Sequence, residues 1–253
     1  LTSLSKAQKF LKRKYLPVLL ALVCLLTVVL LLSTGIIWPN FLFVPHDSVR
    51  GLDVSSYQKR IDWKSVAQTG QYAFIFIKAT EGESYQDASF QMNWRGTKEQ
   101  GLLRGAYHFY TASLTGAEQA NHYISVVPKE AGMLPPVLDL EVSGKSRTAL
   151  LREIKVFLDR LEHHYAMKPI IYTDFDRYAE YIKGHFEDYA IWIRDVLTPP
   201  QWSHVHHWTF WQYCDRGQVS GIAGWVDFNV FSGGRDKLKE LATSSLSQTS
   251  FMG

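Results

Sequence analysis

No aspartate or glutamate occurs before Asp47. Within that acid-free region, Leu16 to Ile37 carries no charge of either sign and consists mostly of Leu, Val and Ile. Cysteine is nearly as scarce. Of the two present, Cys24 lies inside the apolar run and Cys214 far beyond it, so the folded part has a single thiol and no internal disulfide. That excludes a small disulfide-stapled scaffold, and a chain of 253 residues buries enough core to do without staples. Cys214 reads as a small buried residue rather than a nucleophile. A dense basic cluster is also missing after Tyr15. Lys6, Lys9, Lys12, Arg13 and Lys14 account for the formal charge of +3; without them 22 basic residues face 24 acids, a balance of −2. Nucleic-acid binding is thereby excluded. His204, His206 and His207 have neither a matching carboxylate nor helical spacing, so they read as a surface cluster and no metal site is expected.

The apolar run is long enough to span a bilayer core, which takes about 20 residues. The basic segment before it predicts a cytoplasmic N-terminus. We read residues 1–15 as a cytoplasmic basic segment, 16–38 as an uncleaved transmembrane signal anchor with Trp38 as an interfacial aromatic, and 39–50 as a linker. The domain that follows then lies in the periplasm or outside the cell. A cleavable signal peptide is the competing reading, but its apolar part usually spans about 7 to 15 residues and ends in small side chains. Residues 243–253 read as a disordered polar tail.

From Gly51 onwards strand-like runs alternate with helical ones. Strands are expected at Gly51–Tyr57, Tyr72–Thr80, Arg104–Tyr110, Pro136–Val142, Pro169–Thr173 and Tyr189–Arg194, with helices between them. The clearest helix is Thr148–Tyr165, whose apolar residues recur at helical spacing. Trp208–Tyr213 and Val226–Phe231 follow as strands without a substantial helix between them, and a short helix near Asp236–Leu241 closes the pattern. Strand–helix alternation with short connections argues a parallel sheet, and about eight strands in this length argue a closed barrel. In such barrels the chemistry lies at the C-terminal strand ends. Asp53, Lys78 to Glu81, Tyr107, His108, Asp139, Glu141, Tyr172, Trp192, Arg194, Trp211, Gln212 and Asp227 accumulate there.

The stretch Pro135 to Glu141 (PPVLDLE) concentrates that chemistry. On a strand, Asp139 and Glu141 project to one side with Val137, while Leu138 and Leu140 pack the other way. At roughly 3.3 Å per residue their backbones stand about 6.6 Å apart. Acids so placed titrate differently, and the one in the drier setting keeps its proton towards neutral pH. Glycosidic bond cleavage requires such a pair: a proton donor, and a second carboxylate for the developing cation or the group that stabilises it.

Several stretches in order carry a family resemblance: Gly51 to Ser55 (GLDVS), Phe76 to Gly82 (FIKATEG), Arg104 to Phe109 (RGAYHF) and Pro136 to Glu141. Ile171 to Thr173 (IYT), Phe210 to Tyr213 (FWQY) and Val226 to Asn229 (VDFN) follow. The chain from about 51 to 240 resembles the lysozymes of glycoside hydrolase family 25, the Chalaropsis-type muramidases. That resemblance implies an α/β fold, an irregular TIM-like (β/α)5(β)3 barrel over 51–242, here preceded by the transmembrane helix. It implies cleavage of the β-1,4 bond between N-acetylmuramic acid and N-acetylglucosamine in peptidoglycan, with no cofactor. Carried over motif by motif, Glu141 is the general acid. Asp139 stabilises the cationic centre by orienting the substrate's N-acetyl group, with direct attack by Asp139 or an inverting water as rivals. Asp53 and Asp227 complete an acidic floor, and Tyr107, Tyr172 and Trp211 line the cleft. Arg194 departs from the small or aromatic residue expected there and becomes a candidate for altered subsite preference.

Blander roles stand beside these. Asp53 could cap the Ser-Ser turn, Asp227 could be a turn residue, Lys78 and Glu81 pair at the rim, and His108 belongs to core or cleft. Two other functions remain open: a silent wall-binding scaffold that keeps the cleft, and a chitinase-like N-acetylhexosaminidase. The latter calls for a longer acid ladder than residues 135–141 provide.

Overall fold

A computed structural model describes residues 2–34, 36–142, 146–203, 205 and 207–243. The chain forms two compact units, Leu1–Trp38 and Pro39–Gly253. The first is built on helix α1, Thr2–Ser33. Its stretch Arg13–Ser33, 21 residues, is long and apolar enough to cross a membrane. The tail expected over 243–253 lies outside the described residues from position 244 onwards.

The second unit is a closed barrel. Its elements are β1 (Val49–Val54), α2 (Trp63–Gln68), β2 (Tyr72–Glu81), β3 (Tyr85–Gln86), α3 (Phe90–Glu99), β4 (Leu103–Phe109), α4 (Gly116–Val126) and β5 (Val137–Leu140). Next come α5 (Arg147–Tyr165), β6 (Ile170–Asp174), α6 (Phe175–Arg177), β7 (Ala190–Arg194), β8 (Phe210–Gly217), β9 (Val226–Phe231) and α7 (Arg235–Thr243). Local chemistry sets the helix starts. Asp62 accepts from Ser65 N at 3.2 Å to cap α2, and Thr115 with Glu118 forms a capping box on α4. The helix expected between the strands Pro169–Thr173 and Tyr189–Arg194 is instead the short α6 followed by a π-type turn, Tyr178–Ile182. The chain also enters the barrel before position 51. Asn40, in the 3-10 turn Pro39–Leu42, donates to Asp195 O at 2.8 Å and Tyr213 O at 3.2 Å, so part of the expected linker belongs to the barrel body.

The strands run β1-β9-β8-β7-β6-β5-β4-β2-β3, and β1 pairs with β2 to close the ring; β3 extends β2 outside it. Five β/α units precede three strands without substantial intervening helices, as the resemblance implied. Within the ring, the parallel sheet expected from the sequence is corrected at β9; outside it, β3 is antiparallel to β2. β9 is antiparallel to both β8 and β1, because the short β8–β9 connection has no room for the crossover that parallel strands require.

Alternation along each strand sorts side chains into two cores. Phe74, Phe76, Trp192, Phe210 and Phe231 point inward and plug the barrel, with Phe76 stacked on Trp192 at 4.4 Å. Gly51 and Gly105 make space for this plug. A Cβ at Gly51 would lie 2.4 Å from the Phe74 ring, and one at Gly105 would lie 2.7 Å from Phe76. Leu138 and Leu140 point the other way and are buried with Ile154, Phe157 and Leu158 of α5. Each such side chain contributes about 1.5–3 kcal/mol of hydrophobic stabilisation.

Candidate active site

Above the aromatic plug, the inward positions nearest the strand C-termini turn polar. They line a cavity of about 530 Å³ that brings Asp53, Tyr107, Asp139, Glu141, Tyr172 and Asp227 together. Trp192, Arg194, Gln212, Lys78 and Asp215 complete its walls. The short α6 after β6 adds Arg177, which pairs with Asp174 at 3.1 Å.

Asp139 stands on β5 and Glu141 one residue beyond its end. Asp139 is 6% exposed, and its Oδ1 has no protein hydrogen-bond partner among the described residues. Burial first, and the neighbouring Glu141 second, push its carboxyl well above the ordinary carboxylate range. Glu141 is half-buried, with Oε1 3.4 Å from the Tyr172 hydroxyl. The drier member of the pair is therefore Asp139, and Glu141 is the one at the mouth.

Asp53 and Asp227 face each other across β1 and β9 and hydrogen-bond through their carboxyl groups. Asp53 Oδ2 also accepts from Asn229 at 2.7 Å and Gln212 at 3.4 Å. Burial raises Asp53 to about 7, against the lowering effect of the Asn229 and Asp227 hydrogen bonds. Burial and the adjacent Asp53 hold Asp227 well above its usual range. Amide donors favour an ionised Asp53, so the shared proton resides on Asp227. Neither acid plays the bland role weighed for it: Ser55, not Asp53, caps the turn at Ser56–Gln58, and Asp227 lies inside β9.

Trp211 is not a cleft residue. It is 1% exposed, its indole N–H donates to Asp195 O at 2.8 Å, and it packs against Trp208 and Tyr213. Alternation on β8 sends Phe210 and Gln212 inward and Trp211 outward, so the residue beside it takes the cleft position. His108 is core. It bonds Thr80 Oγ1 at 2.8 Å and Gln119 Oε1 at 3.2 Å, and burial pushes it down to about 3, which keeps it neutral. Lys78 pairs with Glu81 at 2.8 Å and also lines the cavity. His204 and His206 lie outside the described residues, and His207 is exposed. No group of ligating side chains suited to a metal occurs among the described residues. Gln212 and Asn229 are polar contributors to which sequence reasoning gave no role. The available signal was their two-residue spacing from inward neighbours, Phe210 and Asp227.

A cleft at the C-terminal ends of barrel strands, floored by buried carboxyl groups and edged by an acid pair, is the architecture of a carboxylate-dependent glycoside hydrolase. Residues 52–222 match the profile of glycosyl hydrolases family 25, and the chain belongs to that family. It is 40% identical over 197 residues to the protein YegX of Escherichia coli (strain K12), covering 76% of this chain and 72% of that one. It is 33% identical over 213 residues to Lysozyme M1 of Streptomyces globisporus, covering 78% and 72% respectively. The solved structure of a family 25 glycosyl hydrolase from Bacillus anthracis superimposes with a TM-score of 0.74 at 37% identity, covering 79% of this chain and 95% of that one.

Proposed function

We propose that this glycoside hydrolase is a muramidase that cleaves the β-1,4 bond between N-acetylmuramic acid and N-acetylglucosamine in peptidoglycan. The observation that carries the reading is the placement of Asp139 and Glu141 in one cavity, one carboxyl dry and without a partner at Oδ1 among the described residues, the other at the mouth. Kinship to a protein named lysozyme supports the choice of substrate.

Glu141 delivers its proton to the glycosidic oxygen as the bond from C1 of the muramic residue breaks. The carbonyl oxygen of that residue's own N-acetyl group closes on C1, with Asp139 orienting the acetamide. Asp139 accepts from the acetamide N–H and stabilises the positive charge that develops beside it. Water then opens the cyclic intermediate, with the Glu141 carboxylate as base, and C1 keeps its configuration. Asp53, the more readily ionised of the two, and Asp227 form the floor beneath this centre. Tyr107 and Tyr172, which burial holds as neutral phenols, present uncharged hydrogen-bonding groups to sugar.

The test is digestion of purified peptidoglycan with reducing ends identified by mass spectrometry after borohydride reduction. New muramic acid ends, absent with Glu141→Gln, are expected. Glucosamine ends would move the bond, and glycan binding without release would make the protein a scaffold. Inverted configuration at C1, read by NMR during early turnover, would replace the acetamide with a directly attacking water.

We infer further that α1 is an uncleaved signal anchor, with the barrel outside the cytoplasmic membrane. The support is the apolar stretch Arg13–Ser33 and the basic residues Lys6 to Lys14 before and at its N-terminal end. Full-length protein is expected in membrane fractions, and a soluble mature form starting near residue 35 would overturn the anchor.

A further inference from the structure

The hydrogen bonds beneath the acid pair run in one direction, and that direction gives a role to a side chain outside the acid set. Trp192 Nε1 is only a donor, and it gives its proton to Asn229 Oδ1 at 2.8 Å. The Asn229 amide is thereby turned with its NH2 towards Asp53 Oδ2. That oxygen accepts, so Gln212 also presents its NH2 to it and keeps Oε1 as an acceptor. The Tyr172 hydroxyl donates to Gln212 Oε1 at 2.6 Å. A phenol has one proton. The hydroxyl has two acceptors in reach, Gln212 Oε1 at 2.6 Å and Glu141 Oε1 at 3.4 Å, and with its one proton on the nearer of them it turns a lone pair towards Glu141.

A lone pair facing a carboxyl favours its proton-bearing form, whereas an O–H facing it favours the carboxylate. We propose that Gln212 is a positioning residue that holds the Tyr172 hydroxyl away from Glu141 while Glu141 carries its proton. The hydroxyl turns to Glu141 once that proton has passed to the leaving oxygen. The turn exchanges one hydrogen bond for another, O–H to Gln212 Oε1 for O–H to Glu141 Oε1, and no covalent bond changes in it. Gln212 and Tyr172 are 3% and 7% exposed, so few solvent molecules compete for either position. Burial holds the Tyr172 phenol well above its usual range, and its proton stays on the oxygen throughout. The inference rests on the acid role proposed above for Glu141.

Other charges also act on Glu141. Asp139 on β5, Asp53 on β1 and Arg194 on β7 line the same cavity and act on it through their charge. Lys78 on β2, Tyr107 on β4, Asp215 on β8 and Asp227 on β9 share the cavity, as do Asp174 and Arg177 on the β6 side. All of these are retained in the variants below. Removing Gln212 also deprives Asp53 of a donor, and the Tyr172→Phe background separates that effect from the turn.

The experiment uses the full chain, as wild type, Gln212→Leu, Tyr172→Phe and the double variant, with Gln212→Met replacing Gln212→Leu should the branched side chain unfold the barrel. Two readouts are taken: the pH dependence of kcat/KM on peptidoglycan, and the titration of the Glu141 side-chain carboxyl by 13C NMR. Loss of Gln212 frees the hydroxyl for Glu141, so the alkaline limb and the Glu141 midpoint are expected to move down by about one pH unit. In the Tyr172→Phe background the same substitution is expected to move both by clearly less, leaving only the contribution made through Asp53. An unmoved midpoint in Gln212→Leu, or an equal displacement in both backgrounds, would overturn the proposal. Failure of the wild type to cleave any peptidoglycan would count against the muramidase reading instead, and the NMR titration would still decide the role of Gln212.

Discussion

Asp53 on β1 and Asp227 on β9 are direct partners across the antiparallel β1–β9 seam, and the two carboxyl groups share a hydrogen bond. The seam exists because β8 returns to β9 without a helix, and it places two acids face to face under the cleft. Holding them buried has a consequence for stability.

Both acids titrate above their unfolded value of about 3.8. A group raised by folding contributes its full stabilisation below the unfolded pKa and loses it as pH rises through the folded one. For Asp53 that window runs from 3.8 to about 7, and for Asp227 it extends higher. The Asp227→Asn amide does not titrate and still donates to Asp53. The difference in Tm between Asp227→Asn and wild type is therefore expected to shift in favour of the variant from pH 5 to pH 8. Thermal melts at the two pH values check this, and a constant difference would place the proton elsewhere.

Asp139 is dry and without a partner at Oδ1 among the described residues, so its replacement by an uncharged isostere is well tolerated by the fold. Asp139→Asn is expected to melt at or above the wild-type temperature while kcat falls by about 10²-fold or more. Unchanged turnover would remove Asp139 from the mechanism.

Gly51 faces the Phe74 ring so closely that a methyl group at 2.4 Å forces the aromatic plug to move. Gly51→Ala is expected to destabilise the barrel by about 1–3 kcal/mol, the usual cost of overpacking. Denaturant unfolding measures this loss. Lowered activity is expected as well, since Asp53 is two residues along the same strand.

Trp211 packs outside the barrel wall, so its effect is on stability rather than on sugar binding. Trp211→Phe is expected to lower Tm with KM for peptidoglycan unchanged, whereas Trp192→Phe, which lines the cavity and fixes Asn229, is expected to lower kcat/KM. Parallel steady-state kinetics on the two variants distinguish these outcomes.

The sequence by itself determined the elements and the acid pair. The nearly unbroken apolar run of β2, the helical spacing of α5 and the two-residue step from Asp139 to Glu141 each rest on local periodicity, and local periodicity survives without tertiary contacts. The apolar helix at the N-terminus was equally legible, because its composition alone sets it apart. What tertiary structure decided was inward against outward orientation, and partnership. Trp211 and Gln212 are adjacent in sequence, and only closure of the barrel assigned the cleft to Gln212. The strand register made Asp53 and Asp227 partners across 174 positions of chain. The difference between Asp139 and Glu141, and the path from Trp192 through Asn229 to Asp53, also depend on which groups burial brings together, and no linear pattern encodes that.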